Sequence, residues 1–316
     1  MLELTKPDVI IATMAPLQVS RIVAEFGIKK KIPVVIDIRD LWPEVYYDVI
    51  SPKLYFILNV YVKRCRKILE STFQKSYGIV GTSQEFLNYG LNYVKRDQSE
   101  CDIVIPIGYP KYDYENYKNR FSEFWGRYDV DEKNFIVVFL GNFGDQFEFT
   151  PVIEASQRLE KYSDIKFILC GVGKHLNEVK EQVGDNVIFP GWAEKEEIIT
   201  LLANSNIGLI PYINSIGFRS TTSNKFGEYL SAALPICVSV HGNMENYLEK
   251  NQCGEYYKDG SDLACKIEKL YVDKERYKEY SRNSKKLYEK LFDNEKINDE
   301  MYNFLKKIIV MHKNEE

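Results

Sequence analysis

The chain predicts an α/β protein of the doubly wound class, built on two parallel-sheet domains. Two observations carry that reading. Short apolar runs alternate with helix-period stretches almost from end to end, and such alternation buries a parallel sheet under helices. The 316 residues suffice for two domains of ordinary size, and 45 % hydrophobic with 28 % charged residues is the balance of a globular chain that can fill real cores.

In the first half, apolar runs place strands at 9–13, 34–38, 78–82 and 103–105, with helices near 17–28, 53–74 and 84–93 between them. Lys29, Lys30 and Lys31 close the first helix, where cations complement the helix dipole. The stretch 108–134 is rich in turn formers and aromatics, and the hinge is placed there. In the second half, strands are expected at 135–140, 166–170, 187–189, 207–211, 236–240 and 255–257. Helices fit between them near 150–161, 175–182, 194–203, 224–234 and 243–249, and the tail 263–310 reads as helical with charges on most faces. The division is therefore 1–120 for a short first domain, 121–295 for the second, and 296–316 for a C-terminal helix packing back on the first. No repeat or low-complexity segment is visible.

Composition excludes several classes. A net charge of −4 argues against a general nucleic-acid binder. No run reaches the length of a membrane-spanning helix and no secretory signal opens the sequence. The six cysteines are scattered without a Cys-x-x-Cys pair, and Cys170 and Cys237 sit in apolar runs, as expected of a cytoplasmic protein. The three histidines, at 175, 241 and 312, are too dispersed for a zinc site.

The most informative stretch is 223–239. Phe226, Tyr229, Leu230, Ala233 and Leu234 recur as the apolar face of a helix, which Pro235 stops before a buried strand. Lys225 and Glu228 lie together on its polar side near the N-terminus, where a phosphate can bind. The same spacing also describes an ordinary solvated face. Upstream, Gly141-Asn142-Phe143-Gly144 follows a buried strand and precedes a helix, a place where backbone approaches a ligand closely. It lacks the third glycine of a dinucleotide fingerprint. Gly171-Val172-Gly173 and Gly191-Trp192 repeat the strand-then-glycine device; three bare loops on one edge would make a nucleotide crevice, while each taken singly also fits a plain strand-ending turn. In the first half, Arg39, Asp40 and Glu44 stand at a strand end stiffened by Trp42 and Pro43, either facing ligand or forming an ion-paired turn. Lys63-Arg64-Cys65-Arg66-Lys67, in a helix opening with apolar and aromatic residues, suits an anionic membrane surface or a solvated basic end.

Taken together, Pro7-Asp8-Val9-Ile10-Ile11-Ala12, Ile38-Arg39-Asp40-Leu41-Trp42-Pro43-Glu44, Gly141-Asn142-Phe143-Gly144, Cys170-Gly171-Val172-Gly173, Phe189-Pro190-Gly191-Trp192, Leu209-Ile210-Pro211-Tyr212 and Ser223-Asn224-Lys225-Phe226-Gly227-Glu228-Tyr229-Leu230 resemble the family 4 retaining glycosyltransferases of bacterial capsule and exopolysaccharide clusters. The resemblance runs over nearly the whole chain. It implies the GT-B fold, two Rossmann-like domains facing a cleft, and transfer of a sugar from a nucleotide-sugar to a lipid-linked or polysaccharide acceptor with anomeric retention. It implies no cofactor or metal, and a location at the cytoplasmic membrane face. By the same resemblance, Gly141, Asn142 and Gly144 lie against the donor sugar and diphosphate, and Gly171, Gly173, Gly191 and Trp192 flank base and ribose. Lys225 neutralises the diphosphate leaving group, Ser223 and Asn224 add amide donors, and Glu228 binds the ribose. Asp40 orients the acceptor.

The chain departs from the family pattern in three places. Ser220 stands where the family's Glu-x7-Glu signature has its first glutamate. Asp145 and Gln146 follow the first glycine loop where many members place an arginine, leaving Arg219 and Lys225 as the nearest substitutes; an acidic Asp145 opposes a diphosphate unless it turns away. Family members open with a further strand and glycine-rich loop before the equivalent of Pro7, so the first domain is read as incomplete. That motivates an alternative function, a nucleotide-sugar-binding half-enzyme needing a partner chain at its edge strand. A GT-B epimerase is disfavoured by the scarcity of histidines.

Overall fold

The computed structural model describes residues 6–315. Every strand read from the sequence is present among them. β1 (Ile10–Thr13), β2 (Val34–Ile38), β3 (Gly78–Gly81) and β4 (Asp102–Val104) form a parallel four-stranded sheet in the order β1-β2-β3-β4. β5 (Phe135–Leu140), β6 (Ile165–Cys170), β7 (Val187–Ile188), β8 (Ile207–Ile210), β9 (Ile236–Val238) and β10 (Gly254–Tyr256) form a parallel six-stranded sheet in the order β10-β9-β8-β5-β6-β7.

The chain forms two compact units. One runs to Ile107 and takes in Ser215–Thr222 and the chain from Glu295; the other holds Gly108–Asn214 and Ser223–Asn294. The crossing at Ile107–Gly108 comes before the 120/121 division read from composition. Two short helices, Tyr114–Lys118 and Phe121–Trp125, follow it inside the second unit. Phe121 and Trp125 are buried there, and the Trp125 indole donates to the Glu197 carbonyl at 3.2 Å.

In the first unit β2 shows the period of two that a strand covered on both faces requires. Val34, Ile36 and Ile38 pack with Leu69, Phe73, Phe86 and Leu87 under the helices Tyr55–Lys75 and Gln84–Val94. Val35 points the other way, with Val80 and Ile105, against Ile297, Phe304 and Ile308 of the helix Asn294–Glu315.

The tail is helical as expected, in three helices, Gly260–Val272, Lys274–Leu287 and Asn294–Glu315, each burying a stripe. Asp273 makes the first break, its carboxylate capping the next helix by accepting from the Arg276 amide at 3.0 Å.

In the second unit β5 is buried along its whole length. The order reverses there: β6 and β7 run off one side, β8 to β10 off the other. A doubly wound sheet opens its ligand crevice at such a switch point, beyond the carboxyl ends of the strands. The loops after β5 and β8 are therefore the ones to inspect, and the helix Asn224–Ser231 follows β8.

Tyr229 sets that helix in place. β5 pairs with β8 only through Val137 and Val138, so the Leu140 amide lies beyond the ladder. The buried Tyr229 hydroxyl accepts its hydrogen bond at 2.9 Å. A Cβ on Gly208 of β8 would stand 2.4 Å from Tyr229 Cδ2, so only glycine lets the ring lie flat on the strand. The helix stops at Ser231, short of the expected 234. Ala233 takes a left-handed turn (φ 57°), and the Leu234 amide reaches back to the Tyr229 carbonyl at 3.0 Å, a Schellman-type ending. Tyr229→Phe leaves the Leu140 amide buried without an acceptor. It should lower unfolding free energy by about 1–3 kcal/mol, read from the urea midpoint at constant slope.

Candidate functional site

The glycine loop after β5 rests on an aromatic floor. Phe143 stacks on Phe149 (centroids 4.7 Å apart), Phe147 stacks on Tyr212 (4.9 Å), and Phe139 meets Phe147 and Phe149 edge-on at 5.1 Å. The loop is tied on both sides. Phe143 N–H donates to the Val172 carbonyl at 2.9 Å, and Ile213 N–H to the Gln146 carbonyl at 3.0 Å. Backbone is thus fixed at the switch point before any ligand arrives.

Lys225 lies against this loop. Its ammonium stands over the faces of Phe147 (4.9 Å) and Phe139 (5.8 Å). A Cβ on Gly141, whose φ is 154°, would meet Lys225 Cε at 2.7 Å and Nζ at 2.8 Å. No carboxylate forms an ion pair with Lys225 among the described residues. Desolvation lowers its pKa from the ordinary 10.5, with the nearby Glu228 charge opposing. Glu228 has the converse problem: desolvation raises its pKa from 4.5, while the Tyr109 hydrogen bond and the Lys225 charge oppose. Tyr109 Oη donates to Glu228 Oε1 at 2.6 Å. Each charge is held half-dry, and each is only partly compensated by the other.

Ser223 is the N-cap residue and makes no side-chain cap bond; its carbonyl accepts from Phe226 N–H at 2.9 Å, while the amides of the exposed Asn224 and of Lys225 lie ahead of any i−4 acceptor in the helix. Its hydroxyl lies 3.8 Å from Met244 Sδ.

The second glycine turn packs directly on the first. A Cβ on Gly171 (φ 142°) would stand 1.8 Å from the Gly141 carbonyl oxygen, and one on Gly173 2.2 Å from Asn142 Oδ1. Gly171 N–H donates to the Gly191 carbonyl at 2.7 Å, which ties in the third turn. Trp192 follows, 72 % exposed. The sequence therefore brings Gly141, Asn142, Gly144, Gly171, Gly173, Gly191, Trp192, Ser223, Asn224, Lys225 and Glu228 into one unit.

Asp145 does not stand bare beside the loop. Its carboxylate takes Lys174 Nζ at 2.6 Å and His175 Nε2 at 2.9 Å, and these bonds lower its pKa while raising that of His175. Sequence reading overlooked Lys174, whose signal was its place directly after Gly173. It also read Tyr109 only as part of a turn, for no local pattern marks a partner 119 residues away.

Arg219 and Ser220 belong to the first unit, on the short helix Ile216–Ser220. Ser220 bonds back to the Ile216 carbonyl at 3.3 Å. In the same unit Asp40 and Glu44 part company. Glu44 accepts from Arg66 Nε at 3.0 Å and from Tyr89 Oη at 2.5 Å, which makes it a structural tie. Asp40 is exposed; surrounding protein raises its carboxyl pKa and the neighbouring Arg39 opposes that. Arg39 itself pairs with the buried Asp37 at 2.7 Å. A cavity of about 760 Å³ opens beside this turn, lined among others by Leu17, Trp42, Tyr46, Tyr61, Arg64 and Ile68.

Comparison with known proteins places this architecture. Anabaena Alr3699/HepE, crystallised in complex with UDP, superposes with TM-score 0.71 at 16 % identity over 96 % of this chain and 79 % of its own. Sucrose-phosphate synthase from Thermosynechococcus elongatus gives 0.72 at 15 % over 98 % and 76 %. A glycosyltransferase from Rickettsia africae gives 0.66 at 16 % over 93 % and 81 %. The fold is that of the GT-B glycosyltransferases. Residues 123–287 match the family model of glycosyl transferases group 1, and the chain belongs to that family. A search of curated proteins found no match.

The packing of the two glycine turns is directly testable. Gly171→Ala forces a methyl group onto the Gly141 carbonyl in a backbone conformation that disfavours side chains. It should cost about 3 kcal/mol or more of stability, measured by urea unfolding.

Proposed function

We propose that the chain transfers a sugar from a nucleotide-sugar donor to a polysaccharide or lipid-linked acceptor, with retention at the anomeric carbon, as a capsule-type member of family 4. The observation that carries this reading is the Lys225 ammonium: half-dry, faced by rings rather than by a carboxylate, at the switch point and against a fixed glycine loop. Such a cation gains most from an anionic ligand. The crystal structures of HepE with UDP and with UDP-glucose fit this reading.

In this reading Lys225 neutralises the diphosphate as the glycosidic bond to it breaks. The open amides at Ser223 and Asn224 share that load through the helix dipole. Gly141, Asn142 and Gly144 let backbone lie against the sugar and diphosphate. Gly171, Gly173 and Gly191 with the exposed Trp192 flank base and ribose, and Glu228 holds the ribose hydroxyls. Arg219 carries over from the resemblance alone as a further phosphate ligand. Asp40 orients the acceptor. The lysine and the helix amides take the place of a metal at the diphosphate, so the reading calls for no resident cofactor.

The first unit supports a membrane-proximal acceptor. The helix Tyr55–Lys75 exposes Phe56 (69 %), Ile57 (58 %) and Val60 (58 %), followed by Lys63, Arg64 and Lys67. Apolar residues leading into cations suit an anionic lipid surface at the cytoplasmic face. No helix among the described residues is long and apolar enough to cross a membrane. A second reading, a nucleotide-sugar-binding subunit completed by a partner chain, draws on β1, which among the described residues pairs only with β2 and carries the exposed Ile11.

Calorimetry with UDP-, GDP- and ADP-sugars tests the first reading. Lys225→Ala and Glu228→Gln should each weaken binding about 10- to 100-fold. Unchanged affinity in both variants overturns it. Anomeric NMR of the product reports retention, and an active monomer in sizing experiments removes the second reading. Affinity should be lost as pH rises through the lowered Lys225 pKa and as pH falls through the raised Glu228 pKa. The binding plateau is therefore narrower at both ends than the ordinary values of 4.5 and 10.5 allow. Replacing Lys63 and Lys67 by Glu should abolish co-sedimentation with phosphatidylglycerol vesicles while leaving donor affinity intact.

A further inference from the structure

The geometry points to Tyr109 as a positioning residue for Glu228: its hydroxyl occupies one carboxylate oxygen, fixes the rotamer, and presents the other oxygen to the nucleotide. This rests on the reading of Glu228 as the ribose ligand and names the residue that makes it competent.

Three observations carry the inference. The bond is short and charge-assisted, with Tyr109 Oη donating to Glu228 Oε1 at 2.6 Å. Tyr109 is itself immobilised through its backbone. Its N–H donates to the Phe292 carbonyl at 2.9 Å, and its carbonyl accepts from Tyr288 Oη at 2.9 Å and the Asn294 amide at 3.3 Å. Pro110 restricts it further from the other side. The phenol thus comes from a fixed frame rather than from a loose loop.

The third observation is a neighbouring tyrosine that does something different. Tyr114 reaches the same helix, but its hydroxyl meets Ser231 Oγ at 2.7 Å, and Ser231 in turn donates to the Glu228 carbonyl at 2.7 Å. Tyr114 therefore holds backbone, whereas Tyr109 holds the carboxylate. The charged and titratable groups around that carboxylate are Lys225, Tyr109, Tyr114 and Tyr229. Lys225 makes no direct ion pair with it among the described residues, so Tyr109 supplies its one direct side-chain hydrogen bond.

The consequence is chemical as well as geometric. A half-dry carboxylate tends to take up a proton, and a protonated Glu228 would present one acceptor less to ribose hydroxyls. A phenol O–H donated to the ion favours the ionised form. Lys225 is the partner for phosphate; Tyr109 keeps Glu228 ionised and aimed at sugar hydroxyls.

The test uses the full chain and calorimetry with UDP, GDP and ADP, continuing with the tightest binder and its 2′,3′-dideoxy form. Tyr109→Phe should weaken binding of the ribonucleotide about tenfold and move the acidic limb of the affinity profile to higher pH. Tyr114→Phe should do neither. The Tyr109→Phe loss should vanish against the dideoxy nucleotide and in a Glu228→Gln background, which keeps the result distinct from a general loss of fold. If Glu228→Gln weakens binding but Tyr109→Phe leaves affinity and the acidic limb unmoved, the inference falls and the proposed function stands. An equal Tyr109→Phe loss for ribo and dideoxy nucleotides also overturns it. If neither Glu228→Gln nor Tyr109→Phe matters, the assignment of Glu228 falls, and this inference with it.

Discussion

The second unit's site depends on one buried contact, that of Tyr229 with β5 and β8. The hydroxyl closes the last open amide of β5, and the ring occupies space that only Gly208 leaves. A helix pinned by one large side chain cannot rotate about its axis. Residues four before and one before that anchor then have fixed directions. Lys225 and Glu228 are those residues. Their placement beside the glycine loop follows from packing a tyrosine, not from any attraction between the two charges. The Schellman ending shortens the helix to what this anchor needs and turns the chain directly into β9.

Anchoring charges in this way has an electrostatic consequence. Neither Lys225 nor Glu228 would be buried this far for stability alone, because each loses hydration that a distant opposite charge only partly replaces. The rings of Phe139 and Phe147 give the ammonium a weak partner, and Tyr109 gives the carboxylate a stronger one. Asp145 shows the opposite arrangement nearby. It is solvent-exposed and bonded by both Lys174 and His175, so its charge is neutralised locally. Both Asp145 oxygens are taken by side chains, whereas Glu228 has a side-chain hydrogen bond on one oxygen among the described residues. On the proposed reading this is how a loop carrying an aspartate still accepts a diphosphate: the aspartate is already paired.

These contrasts explain what the sequence made legible. Every strand was readable because each is a short apolar run between polar helices, and burial on both faces writes that pattern into composition. The three glycine turns were readable because positive φ and close backbone approach at Gly141 and Gly171 exclude other residues. The helix end at Ser231 was not, since a left-handed Ala233 leaves no compositional mark and Pro235 pointed further on. The tail was readable as helical and its last helix as separate, but the break at Asp273 was not, because that residue caps from within an acidic, lysine-rich run. Tyr109, Lys174 and His175 act through pairings between distant segments or adjoining loops, and no local period records them.

The Asp40–Glu44 turn shows why residue type at a strand end does not decide a role. Both are carboxylates after β2, four positions apart, and both fit a ligand-facing or an ion-paired reading. Glu44 falls within reach of the helices Tyr55–Lys75 and Gln84–Val94, and each supplies a donor: Arg66 to one oxygen, Tyr89 to the other. With both oxygens engaged and the Trp42 carbonyl 2.6 Å from the Tyr89 hydroxyl, sharing its single proton with the carboxylate, Glu44 locks the turn to the helical layer. Asp40 makes no side-chain hydrogen bond among the described residues, and its neighbour Arg39 is drawn to the buried Asp37. The ties on Glu44 fix the turn that carries the exposed Asp40. On the proposed reading, the carboxylate that orients an acceptor is the one that packing leaves without a donor.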